Sequence, residues 1–392
     1  MKFDIAIYGS GISSKIAAIA LAKHDYSVCL ISDQIGDYQN KTPSNLVTFL
    51  SNGSLSYLQT IFSEIKFFEK FDNIKKISCQ LEGLKKSKDE LIHFNEKKEH
   101  ILGKIITNSE FDNFLNFELE RNQKIDLIKG HKIIKIENNN NFTNISLDNK
   151  NYLSANLFIL SSSKDEKIVN ELSIKFINKD FYQKALSITV EVDLKEKNCA
   201  FQKFTPDGAI ALLPYFETEA SVVWSADRNS NFTNMSETEL ETQLNRRLNK
   251  FVNKIKIKNL ELHNLKFNYA NKLFHKNMIL LGNIAHNIHP IAGQGLNLSI
   301  KDIALLVKII SKYRDLGYEL NSYMGLSEFD IERKLDNTTY SFGTYALEEM
   351  LTTKNLFLHN FVKKGLGMIQ KNQLAKNYLI ESATGKNFFK LL

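Results

Sequence analysis

The sequence predicts an α/β protein in three parts: a parallel, nucleotide-type opening, an inserted and mostly antiparallel β-sheet, and a helical C-terminal region. Three observations predict it. Phe3–Tyr8, Ile12–Lys23 and Ser27–Ser32 read as strand, helix and strand around the turn Gly9-Ser10-Gly11, a βαβ unit of about 30 residues. Ala185–Asp193 alternates, with Leu186, Ile188, Val190 and Val192 on one side and Ser187, Thr189, Glu191 and Asp193 on the other, as an antiparallel strand with one wet face does. From Leu296 onward helical spacing dominates.

The remaining elements follow in chain order. Lys132–Glu137 and Phe142–Leu147 flank a polar run and read as a hairpin, and Tyr152–Leu160 is a further strand. Ala209–Leu213 and Ser221–Trp224 are the expected partners of Ala185–Asp193. Boundaries fall near 176, 270 and 326. They give a discontinuous first domain (1–175 and 270–325), a β-sheet domain (176–269) and a helical region (326–392).

Composition narrows the function. The chain has 392 residues, of which 43% are hydrophobic and 24% charged, enough apolar material for a sizeable core. Its apolar run near the N-terminus, Ile16–Ala22, is flanked by Lys15 and Lys23 and is far short of the roughly 20 residues of a membrane span. The early Asp4 and the lack of a small-residue cleavage site argue against a signal peptide. Cys29, Cys79 and Cys199 are odd in number and widely spaced, which fits a reducing compartment, so a cytoplasmic location is expected. The net charge of +7 comes mostly from scattered lysines, not an arginine-rich face, and argues against nucleic acid as a partner. Attraction to an anionic membrane surface stays open, and Lys354–Lys371, mixing apolar residues with Lys363, Lys364 and Lys371, is the stretch that would provide it. An amphipathic helix packed on the body is the other reading of that stretch.

Gly9-Ser10-Gly11-Ile12-Ser13-Ser14 is a GxGxxG pattern with Ser14 in the third place. The first glycine allows the tight turn, the second lets backbone approach a pyrophosphate, and the helix N-terminus favours its charge. Asp33, after the second strand, is the acidic candidate for a ribose hydroxyl. The second constellation is Leu280–Leu306, LLGNIAHNIHPIAGQGLNLSIKDIALL. It joins a strand end to His286, His289, Pro290 and the pair Gly293 and Gly295 before a helix. Two histidines three apart admit metal ligation, but no Cys or carboxylate cluster accompanies them, and no metal is assigned.

This segment resembles the second flavin motif of the group-A FAD-dependent monooxygenases, in particular their ubiquinone-biosynthesis hydroxylase branch. Ala200–Thr205 through Ala211–Pro214, Ser221–Trp224, Phe329–Thr344 and the tail to Gly385 are also similar to that branch. The resemblance implies a Rossmann-like FAD-binding domain, an inserted β-sheet substrate domain and C-terminal helices. It implies hydroxylation of a polyprenylated phenol in ubiquinone biosynthesis, with NAD(P)H and O2 acting through a flavin hydroperoxide. By the same resemblance Gly9 and Gly11 cradle the pyrophosphate, Gly282 and Asn283 meet the ribityl chain, and Pro290, Gly293, Gln294, Gly295, Leu296 and Asn297 line the ring. His289 and Pro290 would stand near the substrate. No protein side chain is assigned as catalytic acid or base.

The pattern departs from the family at four places. Asn283 replaces an aspartate, Ser162-Ser163 replaces an Asp-Gly pair, Leu46 replaces an arginine, and Asp33 stands one place late. A relative that has lost catalysis and serves as an accessory subunit, or a flavin-dependent reductase on the same fold, are therefore the alternative readings. Peripheral membrane contact and assembly with other ubiquinone-biosynthesis proteins are further expectations of the resemblance.

Overall fold

The computed structural model describes residues 1–33, 46–83, 90–94, 101–139, 141–162, 168–169, 173–288 and 293–391. Three sheets organise them. The first has eight strands: β1 (Lys2–Tyr8), β2 (Val28–Ser32), β8 (Ile125–Lys129), β9 (Ile133–Asn138), β10 (Thr143–Leu147), β11 (Tyr152–Leu160), β17 (Phe274–His275) and β18 (Met278–Leu280). The second, also of eight, contains β5 (Lys76–Leu81), β6 (Glu90–Phe94), β12 (Phe176–Leu194), β13 (Cys199–Thr205), β14 (Gly208–Phe216), β15 (Glu219–Asp227), β16 (Val252–Ala270) and β19 (His286–Asn287). A small third sheet joins β3 (Val47–Ser51), β4 (Asn73–Ile74) and β7 (Gly103–Thr107). The helices are α1 (Ile12–Lys23), α2 (Asn52–Ile61), α3 (Asn108–Glu120), α4 (Glu237–Arg247), α5 (Gly295–Asp315), α6 (Tyr323–Leu351), α7 (Leu356–Lys371), α8 (Gln373–Thr384) and α9 (Lys386–Leu391).

In the first sheet β18, β11, β1, β2 and β8 run parallel in that order, the doubly wound arrangement of dinucleotide-binding domains. Strands β1 and β2 are almost continuously apolar because both faces are covered. Helix α1 supplies one cover, burying Ile16–Ala22, where alternating alanines allow close approach. The hairpin expected before residue 150 is present as β9–β10, and β10 pairs with β11.

The second sheet is built on two long antiparallel strands, β12 and β16. Its outer face is closed by α4, capped by Ser236 and Glu239 in a reciprocal box, with Leu240 and Leu244 buried beside Trp224. Trp224 is thus a core residue. Two features differ from the sequence reading. Strands β5 and β6, inside the 1–175 segment, cross over to pair with β13 and extend the second sheet, and β19 joins it from the 270–325 segment. The face of β12 carrying Ser187 is not wet there: Ser187 is buried and, with Ala185, lines an internal cavity.

Candidate active site

The carboxyl ends of β1, β2 and β11 meet at the first glycine turn. Gly9 donates its N–H to Ile31 (3.0 Å), and Ser161 donates its N–H to Tyr8 (2.9 Å). At Gly9, φ is +153°, and a Cβ would sit 3.1 Å from the Ser161 carbonyl carbon, so only glycine lets β11 approach. Among the described residues a Cβ on Gly11 would meet nothing within 4 Å. Gly11 is therefore free of packing demands from the protein, and no side chain caps the first turn of α1 that follows it. The open space and uncapped N–H groups together form an anion cradle. Behind it, Lys15 is buried and donates to Asp112 (2.5 Å) and Asn116 (2.8 Å), pinning α1 to α3. Burial lowers the Lys15 pKa despite the Asp112 charge.

Ser14 takes the packing place of the pattern's third glycine. It is fully buried, and its hydroxyl donates to Gly11 O (2.7 Å), so it packs α1 against the sheet and offers no ligand contact. Asp33 lies two residues beyond Ile31, partly exposed just past the carboxyl end of β2, one place later than the usual ribose-binding acid.

The second motif closes on the first. Gly282, at φ +74°, would place a Cβ 3.2 Å from both Ser13 Cβ and Ser161 Oγ, so residues 269 positions apart in sequence share one cradle. The next residue, Asn283, is exposed, while its backbone carbonyl is held by Asn268 Nδ2 (3.1 Å). Its side-chain amide thus faces outward beside the glycine turn. Ser162 is described at the end of β11 and partly buried, and Leu46 borders the cavity introduced below. His289, Pro290 and Ser163 lie outside the described residues.

Helix α5 begins at a second uncapped turn. Gly293 adopts φ +58° against Phe49, Gln294 is the cap residue with no capping side chain, and a Cβ on Gly295 would meet open space. Leu296 is only partly buried at the start of this helix. Asn297 has a different job from the one expected of it. Its side chain is buried, donates to Phe49 O (2.7 Å) and accepts from Ser51 N (2.9 Å), so it locks the turn to β3. Its amide is committed to the protein, which makes it a positioning residue for the turn.

His286 is also structural. Its Nε2 lies 2.5 Å from Asp302 Oδ2, and Asp302 Oδ1 accepts from Arg333 Nε (2.6 Å), all three side chains being fully buried. Arg333 further donates to Asp336 and Asn337, each at 2.7 Å. Burial pushes the Asp302 carboxyl up, but Arg333 and His286 outweigh it and hold the group below the ordinary carboxylate range. This cluster clamps β19, α5 and α6 behind the turn. Nothing in local spacing announces it, because Arg333 is 31 residues from Asp302.

Between the turn at Gly293 and the second sheet lies a cavity of about 650 Å³. Its lining is mostly apolar, including Phe204, Leu351, Leu366, Ile369 and Ile380, with His263, Asn287 and Gln294 among its few polar side chains. Helices α7 and α8 supply Leu366, Ile369 and Ile380, so the C-terminal region completes the chamber. Cys79 also lines it, and burial pushes its thiol up to about 12.

Comparison with known proteins agrees with this geometry. Residues 165–317 match the family model described as an FAD binding domain. The fold superposes on p-nitrophenol 4-monooxygenase of Pseudomonas putida DLL-E4 with a TM-score of 0.78, at 13% identity and 98% coverage of both chains. The solved structures that it resembles include FAD-dependent monooxygenases. Within that class its sequence relatives are the ubiquinone-biosynthesis hydroxylases. It is 25% identical over 343 residues to 3-demethoxyubiquinol 3-hydroxylase of Escherichia coli K12, covering 85% of this chain and 86% of that one. It is 22% identical over 457 residues to the mitochondrial ubiquinone biosynthesis monooxygenase of Dictyostelium discoideum, covering 99% and 92%.

The residues fit FAD. Two uncapped helix N-termini, each with a glycine whose missing Cβ opens space, converge through Gly282 beside the outward-facing Asn283. Gly9 and Gly11 would hold the pyrophosphate, Asp33 the ribose, Asn283 the ribityl chain, and Gly293–Leu296 the ring by their backbone. Among the described residues no helix is long and apolar enough to cross a membrane.

Proposed function

We propose that the protein hydroxylates the aromatic ring of a polyprenylated phenol, an intermediate of ubiquinone biosynthesis, with NAD(P)H and O2 as co-substrates. The observation that carries this reading is the shape and chemistry of the cavity. It adjoins Gly293 and Gln294 of the turn expected to hold the flavin ring, and its lining is mostly apolar, as a hydrocarbon tail requires. FAD, when bound, supplies the redox chemistry by which oxygen is activated. The chain itself orients and shields. Gly293 and Gln294 border the chamber on the side of the turn, and Phe204, Leu351 and Ile369 exclude water and hold the tail. In this reading His263 and Asn287, which line the cavity, receive the phenol hydroxyl. The same reading has the protein working peripherally at a cytoplasmic membrane face and in company with other enzymes of ubiquinone synthesis, since such a substrate dissolves in the bilayer.

The test is aerobic incubation of FAD-loaded protein with NADH or NADPH and a short-chain prenylated phenol. The expected result is pyridine-nucleotide oxidation stimulated by the phenol and a product heavier by one oxygen atom. Phenol-stimulated oxidation that persists without O2, or FAD-replete protein that forms no hydroxylated product with any prenylated phenol, would refute the reading.

A further inference from the structure

Helix α7 turns opposite faces to two apolar environments. His359, Val362, Leu366 and Ile369 point inward, the last two into the cavity. Phe357, Phe361, Lys364, Met368 and Lys371, spaced in alternating steps of four and three, form one outward stripe. This stripe is unusual for a protein surface: Phe357 is 83% exposed and Met368 71%, and Leu374 on α8 continues it at 81%. Isolated exposed apolar residues are ordinary, but a contiguous row of large ones marks an interaction surface.

The charge around the row identifies what covers it. From Leu351 to Ile380 the chain carries no Asp or Glu, and of its five lysines Lys376 is buried and Lys354 is paired with Asp207. The other three, Lys363, Lys364 and Lys371, surround a shallow depression over Gly367 together with Asn360 and Gln370. Large apolar side chains flanked by lysine, without a single acid, match the boundary of an anionic phospholipid layer, where rings enter the acyl region and ammonium groups meet phosphate. A protein partner would be expected to meet some acid on this face for register. Continuity with the cavity points the same way, because α7 and α8 are both its wall and the bearers of the stripe.

We propose that the outer face of α7 and α8 docks on an anionic phospholipid bilayer and sets the two helices that wall the cavity against it. Resting on the long-chain phenol reading above, this face delivers substrate from the membrane without release into water. It also answers the alternative left open by the sequence: α7 is packed on the body by one face and free to meet lipid with the other.

The experiment is vesicle flotation of the full-length, FAD-loaded protein. Vesicles of phosphatidylcholine alone are compared with vesicles that also contain phosphatidylglycerol. Binding is expected to the anionic vesicles and to weaken with salt. Phe357→Asp with Phe361→Asp should lower partitioning at least tenfold. Lys364→Gln with Lys371→Gln should lower it about twentyfold on anionic vesicles only, since each lysine near such a surface contributes a factor of roughly five. All four residues are exposed, and both variants should keep wild-type turnover of a water-soluble short-chain phenol. The proposal is overturned if wild-type protein does not float with anionic vesicles, or if the phenylalanine variant floats equally well. It is overturned, too, if wild-type protein is a dimer that the phenylalanine variant dissociates, which would make a second copy the occupant. Vesicle binding by a protein that hydroxylates no phenol would remove the hydroxylase reading and leave the lipid face standing.

Discussion

Replacing Asp302 by Asn tests whether the buried His286–Asp302–Arg333 cluster holds the flavin-side turn in place. Asp302 is fully buried and accepts from Arg333 at 2.6 Å and faces His286 at 2.5 Å. Removing its charge weakens two charge-assisted hydrogen bonds, and breaking a buried pair from one side costs about 3–5 kcal/mol. Arg333 keeps Asp336 and Asn337, so the lower figure applies, about 3 kcal/mol. Unfolding entropy of about 2.1 cal/mol/K per residue over 392 residues converts this to a fall in Tm of about 4 °C. The sign with pH is determined by the direction of the shift. A carboxyl held below its usual pKa stabilises the fold above its unfolded value near 3.9 and loses that contribution as pH falls through the lower, folded value. The deficit of the variant should therefore be constant from pH 6 to 8 and shrink only in strong acid. Differential scanning calorimetry of both proteins across that range, with FAD affinity by fluorescence quenching, reads both consequences. FAD should bind several-fold more weakly, because His286 leads directly into the turn at Gly293. A Tm within 1 °C of wild type at pH 7, or a deficit that grows between pH 6 and 8, would refute the reasoning.

The other predictions concern the cradle, the cavity and the thiols. Gly9→Ala meets Ser161 backbone at a left-handed φ and should lower stability by about 1–3 kcal/mol; Gly11→Ala projects into open space, so its Tm should hold while FAD affinity drops at least tenfold in a binding titration. Asn283→Asp restores a charged acceptor on the exposed side of the cradle, and about 1 kcal/mol of added hydrogen-bond strength should tighten FAD roughly fivefold; unchanged affinity would place Asn283 away from the cofactor. Ile369→Trp fills part of the cavity beside Leu366 and should raise KM for a long-chain phenol about tenfold against a short-chain one; equal effects on both would put the tail elsewhere. Cys29 and Cys79 are pushed up to about 12 and Cys199 to about 11, each by burial first. A chromogenic disulfide at pH 8 should find no fast-reacting thiol in the native protein and three after denaturation.

What the sequence determined by itself was local. The helix expected at Ile12–Lys23 and the strand expected at Tyr152–Leu160 occur with those bounds, because continuous apolar runs and glycine turns specify them without help from distant residues. The two glycine turns were legible for the same reason: a helix N-terminus after a strand needs only adjacent residues to become an anion cradle. The role of Asn297 was not legible, since whether an amide meets a ligand or a backbone group depends on which strand lies beside it. The tertiary structure alone decided that β5 and β6 belong to the second sheet, that Ser187 faces a cavity and not water, and that Arg333 reaches back to Asp302. It alone decided that α7 has two apolar faces, one on the chamber and one outside. Local periodicity states which side chains share a face; only the pairing of distant segments states what that face meets.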